Sequence, residues 1–277
     1  MEQSDDRKDR IYHKLWNATL GGCLVLAPMD KRPTRITELG LGSPAFVYDI
    51  ARRNPRVAVH TIDYFGSRSS APLPPDMADP PRVLSHNLEL GDWGFDGRIR
   101  GKQGLIAARF EMDGLDWNWR HIAEQSLAAL EPGGWLELQM VGPLTSDDGS
   151  AEGTALKDIP RHLSKHVDDA RAAPRHADIL AAAGFDEVAL VRRRWWSSPV
   201  AHRADVDDRE VGLSRMYLSE VESAQLLEAQ CEEIKTYLRW TPEQAALFLS
   251  TVKAEITDPN IQAYFPVYVV YGRKPFV

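Results

Sequence analysis

The residues best suited to chemistry lie in one stretch, TRITELGLGSPAFVYDIARRNPRVAVHTID, residues 34–63. Glu38, Gly40 and Gly42 fall at or just beyond the end of a short apolar run, 35–39, and Asp63 closes a second run, 57–62. Between them, Phe46, Val47 and Ile50 have helical spacing, and Asn54-Pro55 stops the helix. A strand–glycine turn–helix–strand unit with a carboxylate at its far tip is the general design of a nucleotide or nucleoside site. Glycines let a ligand approach the backbone, the helix start offers free N–H groups, and the carboxylate accepts hydrogen bonds from ribose hydroxyls. Pro44 stands where the motif would place its third glycine. Proline is tolerated in the first turn of a helix, but it supplies no N–H and its ring fills space that glycine leaves open. The plain alternative is a βα turn with no ligand.

Further candidates sit at later strand tips. His86 and Asn87 follow a strand at 82–84, and Arg109 and Glu111 follow one at 105–108. His86, His121 or Glu111 could take a proton from a hydroxyl. Arg109, His86 or Asn87 could donate a hydrogen bond to a carbonyl.

These tips need a scaffold to converge. Strands are expected at 135–140, 185–196 and 261–271, the last interrupted by Pro266. Helices are expected at 117–130, 155–172, 174–183, within 204–240, and from a Thr241-Pro242 start to about 256. Glu131-Pro132-Gly133-Gly134 reads as a sharp turn. Alternating strands and helices predict a parallel sheet with helices on both faces and ligands at the carboxyl ends of its strands. Residues 1–30 read as a polar tail (1–10) and a lid helix carrying Tyr12 and Trp16; 31–277 reads as the main domain, with a helical cap inserted at about 197–257.

The chain has 277 residues, 43% hydrophobic and 26% charged, which suits a large α/β globule. A net charge of −7 argues against a nucleic-acid partner. The two cysteines, Cys23 and Cys231, lie far apart and form no metal cluster, so no metal is expected and a reduced, cytoplasmic setting is. No apolar run reaches membrane-span length, and no apolar signal core follows the charged N-terminus.

ITELGLGSPAFVYDIA, LEPGGWLELQ, AAAGFDEV and IQAYFPVYVVYGRKP, with YHKLWNATLGGCLVLAP before them, resemble the LaeA-like S-adenosylmethionine-dependent methyltransferases of fungi. The similarity covers roughly residues 11–275. The resemblance implies an α/β class I methyltransferase-like (Rossmann-like) fold: a seven-stranded, mostly parallel sheet with an antiparallel last strand, helices on both faces, and a role in secondary metabolism. It makes Glu38, Gly40 and Gly42 the first donor motif and Asp63 the ribose carboxylate. It also marks departures. Pro44 replaces a glycine, the acid near the adenine falls at Asn87 or Leu88, and the usual Phe-Asp before the fourth strand is Gln103-Gly104, while Arg109 is kept. Three departures around one ligand favour a non-methylating cyclase of the pericyclase, Diels-Alderase type that requires no cofactor. Its apolar small-molecule substrate would be walled by Tyr12, Trp16, Phe110, Trp117, Tyr264 and Phe265 and polarised by Arg109, His86 or Asn87. An S-adenosylmethionine-dependent O-methyltransferase is the close alternative, and a non-catalytic regulator or scaffold the third. A homodimer is compatible with each.

Overall fold

The computed structural model describes residues 2–40, 44–63, 81–88, 90–110, 117–163, 172–197, 206–223 and 226–276. Gly42 and Glu111 lie outside them, and Asp63 is described through its backbone.

The element order is α1 (Glu2–Thr19), β1 (Arg35–Gly40), α2 (Pro44–Arg53), β2 (Ala58–Asp63), β3 (Arg82–Ser85), β4 (Gln103–Phe110), α3 (Trp119–Ala129), β5 (Leu130–Val141), α4 (Ala155–Leu163), α5 (Ala172–Ala183), β6 (Asp186–Trp196), α6 (Asp208–Ser223), α7 (Leu226–Leu238), α8 (Pro242–Thr257) and β7 (Tyr264–Arg273). The strands form one seven-stranded sheet in the order β3-β2-β1-β4-β5-β7-β6. β3, β2, β1, β4 and β5 pair in parallel. β7 runs against β5: the Gly133 N–H donates to the Lys274 carbonyl at 2.9 Å, and the Lys274 N–H donates to that of Gly134 at 2.8 Å. Farther along, the Gly142 N–H donates to the Pro266 carbonyl at 2.7 Å. This is the class I methyltransferase fold expected above, with the antiparallel last strand in place.

The chain divides into two compact units. One comprises Met1–Gly21, Val141–Ala170 and Arg192–Val267; the other comprises Gly22–Met140, Arg171–Val191 and Tyr268–Val277. In the second unit the period-2 alternation of β4 and β5 separates two clusters. Ile106, Ala108, Phe110, Leu136, Leu138 and Met140 pack with α3, around Trp119 and Ile122. Leu105, Ala107 and Trp135 pack with Phe46, Val47, Ile50 and Ala51 of α2.

Three expectations are corrected. The tail is not a loose decade of residues: α1 starts at Glu2, because nothing before Gly21 breaks a helix and Gln, Arg and Lys are good helix formers. The turn at 131–134 lies inside β5. Gln103 pairs with Leu130 and Leu105 with Trp135, so the extra residues loop out as an irregularity opposite Gly104. Gly133 makes this feasible at φ +78°, where an added Cβ would also strike the Phe276 ring at 2.5 Å. The helix expected from 174 begins at Ala172, with Pro174 in its first turn, where a missing N–H costs nothing. The start of α8 is as expected: Thr241 caps it through a reciprocal pair with Gln244, and Pro242 follows.

Candidate functional site

The register of the second unit lines up the carboxyl tips. Gly40 pairs with Asp63, and Asp63 with Ser85. Leu39 pairs with Ala108, so the next step sets Gly40 level with Arg109, which pairs with Gln139. Asp63, Gly40, Arg109 and Gln139 therefore form one row across β2, β1, β4 and β5. A Cβ at Gly40 would lie 2.5 Å from the Ile62 carbonyl oxygen, so only glycine lets these two strand ends close together. α2 begins at Pro44 just beyond and buries Phe46, Val47, Ile50 and Ala51.

Beneath the row lies a buried polar layer. Glu38 is fully buried and accepts a short hydrogen bond from the Thr61 hydroxyl. Arg109, 2% exposed, is the only buried Lys or Arg among the described residues. Its Nε donates to Gln139 Oε1 at 2.7 Å, and its guanidinium lies 4.0 Å from the centre of the Phe46 ring. Gln139 Nε2 donates to the Leu24 carbonyl and to Glu137 Oε1, each at 2.7 Å. Glu137 Oε2 accepts the N–H groups of Leu26 and Ala27 at 2.7 and 2.6 Å. One amide and one carboxylate of β5 thus pin the strap 24–27 that leads into β1. Burial pushes the Glu137 carboxyl up to about 7, while the Gln139, Ala27 and Leu26 donors and the Arg109 charge hold it down.

The other candidates have different places. His86 is half-buried, with Nε2 3.0 Å from Asp96 Oδ2. The Asp96 carboxyl is held well below its ordinary range, chiefly by Arg98 and also by His86. Asn87 is exposed, and its Oδ1 accepts the Leu90 N–H at 3.1 Å; Leu88 is fully buried. The position left facing outward is therefore Asn87. His121 Nε2 lies 3.0 Å from the Gly91 carbonyl. Phe110 lies on the apolar face, 4.7 Å from Trp119, which Trp117 approaches at 6.4 Å. In the first unit Tyr12 and Trp16 both meet Trp195, at 5.9 and 5.3 Å. Tyr264 lies against Trp196 at 5.1 Å and donates to Asp147, and Phe265 lies against Tyr217 at 6.0 Å.

One departure leaves the site altogether. Gln103 and Gly104 stand at the amino end of β4, the edge opposite the row. Gln103 accepts the Thr37 hydroxyl and donates to the Ile99 carbonyl, and a Cβ at Gly104 would meet Pro33 at 2.8 Å. Two cavities, of about 160 and 200 Å³, lie at that same edge beside Met29 and Pro33. Neither Gln139 nor Glu137 was proposed from the sequence as a donor-site residue. Their sequence signal is the polar pair in WLELQ, which also fits a half-solvated strand.

Among curated proteins, the probable methyltransferase tdiE of Emericella nidulans is 27% identical over 96% of this chain and 80% of its own length. The secondary metabolism regulator laeA of Aspergillus niger is 26% identical over 99% of this chain and 71% of its own. Over nearly its whole length the chain is thus similar to fungal methyltransferases and LaeA-type secondary metabolism regulators. No family model matches it. Among solved structures, Haemonchus contortus phosphoethanolamine N-methyltransferase 2 in complex with S-adenosylmethionine superposes with a TM-score of 0.53 at 13% identity. The match covers 98% of this chain and 57% of that one, so this chain spans little more than half of that enzyme. At this identity the likeness establishes the fold alone. These findings correct the expectation that no cofactor is required: relatives matched over nearly the whole of this chain carry methyltransferase names.

The residues present fit such a donor. A glycine closes β1 against β2 flush with Asp63, and a buried cation stands in the same row. With Gln103-Gly104 at the far edge, two departures remain at this one, Pro44 and Asn87. Among the described residues no cluster of three or more His, Cys, Asp or Glu side chains could hold a metal ion, and no helix is long and apolar enough to cross a membrane.

Proposed function

We propose that this protein is an S-adenosylmethionine-dependent methyltransferase acting on an apolar small molecule of fungal secondary metabolism. The observation that carries the reading is the row of Asp63, Gly40, Arg109 and Gln139 at the carboxyl edge of the sheet. Glu38, Gly40 and Asp63 would hold the donor, which supplies an electrophilic methyl group when bound. Asp63 would take the ribose hydroxyls. Gly40 keeps the backbone close enough for the nucleoside to lie against it, and buried Glu38, tied to Thr61, fixes the turn from below. His86, oriented by Asp96, is the candidate to accept a proton from an acceptor hydroxyl. Methyl transfer asks little more of the chain than alignment and exclusion of water.

The test is a calorimetric titration with S-adenosylmethionine and S-adenosylhomocysteine. Saturable one-to-one binding is expected. Asp63→Ala should weaken it about 10- to 100-fold, since a hydrogen bond to a charged group contributes about 1.5–3 kcal/mol. No binding at millimolar donor would overturn the reading. In that case cyclisation of a polyene by the donor-free protein would point to the cyclase, and capture of a protein partner without catalysis to the regulator.

A further inference from the structure

We propose that the amino edge of the sheet carries a second ligand site, walled by the strap, which takes a small aryl or branched-alkyl carboxylate. The site is separate from the donor row and does not depend on the donor reading.

Three observations carry it. First, there is room of the right kind. A cavity of about 200 Å³ is walled by Leu24, Val25, Met29, Ile36, Ile50 and Leu105. An apolar cavity of about 150 Å³ takes a benzene ring. A space of this size could also hold several waters, but apolar walls give them no partners. Asn54 lies in the wall too, and its amide is engaged, donating to the Ile50 carbonyl at 2.8 Å. Second, the rim is cationic. Lys31 and Arg32 line the same cavity and are exposed. Among the described residues neither makes a hydrogen bond or an ion pair. Their neighbour Asp30 is engaged elsewhere, by Arg273 at 3.0 Å. α2 ends beside the cavity, and Arg52 and Arg53 in its last turn offset the negative end of its dipole. An apolar chamber with two uncommitted cations at its mouth matches an apolar body that bears an anionic head. Third, the chamber is not the donor site. Ile36 pairs with Leu105 and lies four residues before Gly40 on β1, about 13 Å away at strand spacing. Its volume also falls below the roughly 300 Å³ at which pockets for larger ligands begin, so a nucleoside does not fit.

The test is an NMR titration of the whole chain, isotope-labelled at its isoleucine, leucine and valine methyl groups. The probes are hydrocinnamate and its neutral match, hydrocinnamyl alcohol. Saturable shifts at the Val25, Ile36, Ile50 and Leu105 methyls are expected at millimolar hydrocinnamate, with or without saturating S-adenosylhomocysteine. A variant carrying both Lys31→Gln and Arg32→Gln should weaken hydrocinnamate about 2- to 10-fold and leave the alcohol unchanged, since contacts to exposed charges are individually modest. Val25→Phe fills the chamber and should remove the shifts with both probes. If Val25→Phe fails to fold, the double variant, changed only at exposed positions, decides alone. No saturable shift at millimolar hydrocinnamate, equal weakening of both probes in the double variant, or loss of hydrocinnamate binding once S-adenosylhomocysteine is bound overturns the assignment. Wild type that binds hydrocinnamate at these methyls but not S-adenosylhomocysteine overturns the donor reading and supports this one.

Discussion

The two faces of β4 and β5 are equally buried and chemically opposite. On one, Ile106, Ala108, Phe110, Leu136, Leu138 and Met140 form a continuous apolar surface. On the other, Leu105, Ala107 and Trp135 give way toward the carboxyl edge to Arg109, Glu137 and Gln139, with Glu38 and Thr61 on the neighbouring strands. Burying a charge or an amide is costly unless each is hydrogen-bonded. This layer meets the cost with the N–H groups of the strap and with its own side chains. One face is thus organised for packing, and the other keeps an expensive polar layer next to the strand tips.

The sharpest way to break the comparison is a change on the apolar face. Phe110→Ala should lose about 3–5 kcal/mol of stability through the cavity it leaves. Calorimetry on the folded variant should find donor affinity unchanged, whereas a fall in affinity beyond the unfolded fraction would return Phe110 to the pocket.

On the polar face, Glu137→Gln should cost about 1–3 kcal/mol in urea unfolding, because an amide in place of the carboxylate turns a donor toward N–H groups that need acceptors. The wild-type stability should also depend on pH in a set direction. The folded carboxyl is raised from its ordinary value of 4.5 to about 7, so the native state binds this proton more tightly than the unfolded chain. That stabilisation is fully present below about pH 4.5 and is lost as pH rises through about 7. Urea midpoints at pH 5, 6, 7 and 8 should fall accordingly in wild type, and this component should vanish in Glu137→Gln. An unchanged slope in the variant would assign the dependence elsewhere.

The smallest effect expected is at the outward-facing Asn87. Asn87→Asp restores a carboxylate at the matched position and should tighten binding of S-adenosylhomocysteine by a few-fold, an exposed charged contact being worth about 0.5–1 kcal/mol. A loss of affinity there would place the adenine elsewhere.

Much of this was legible in the sequence, and for identifiable reasons. The β1–α2–β2 unit announced itself through its apolar periodicity and its glycines, and the start of α8 through Thr241-Pro242. Pro44 was read correctly as the head of a helix. The buried polar pair was not legible as such. Glu137 and Gln139 alternate with Leu136 and Leu138 as residues of a half-solvated strand would, and only the strap 24–27, a hundred residues earlier, makes them interior. Gln103-Gly104 was counted against the donor because a motif read in one dimension does not say which edge of the sheet it occupies. The looped-out residues in β5 looked like a turn because Pro-Gly-Gly favours both, and the pairing with β4 and β7 decides between them.

The central claim is that the donor lies at the carboxyl edge, across the tips of β1, β2 and β4. Hydrogen exchange of the wild-type protein with and without S-adenosylhomocysteine tests it most directly. The prediction is slowed exchange in β1, the start of α2 and the strap 24–27, with no change around Met29–Pro33 and Glu131–Gly134 at the opposite edge. Protection confined to that opposite edge, or none at saturating ligand, would contradict it.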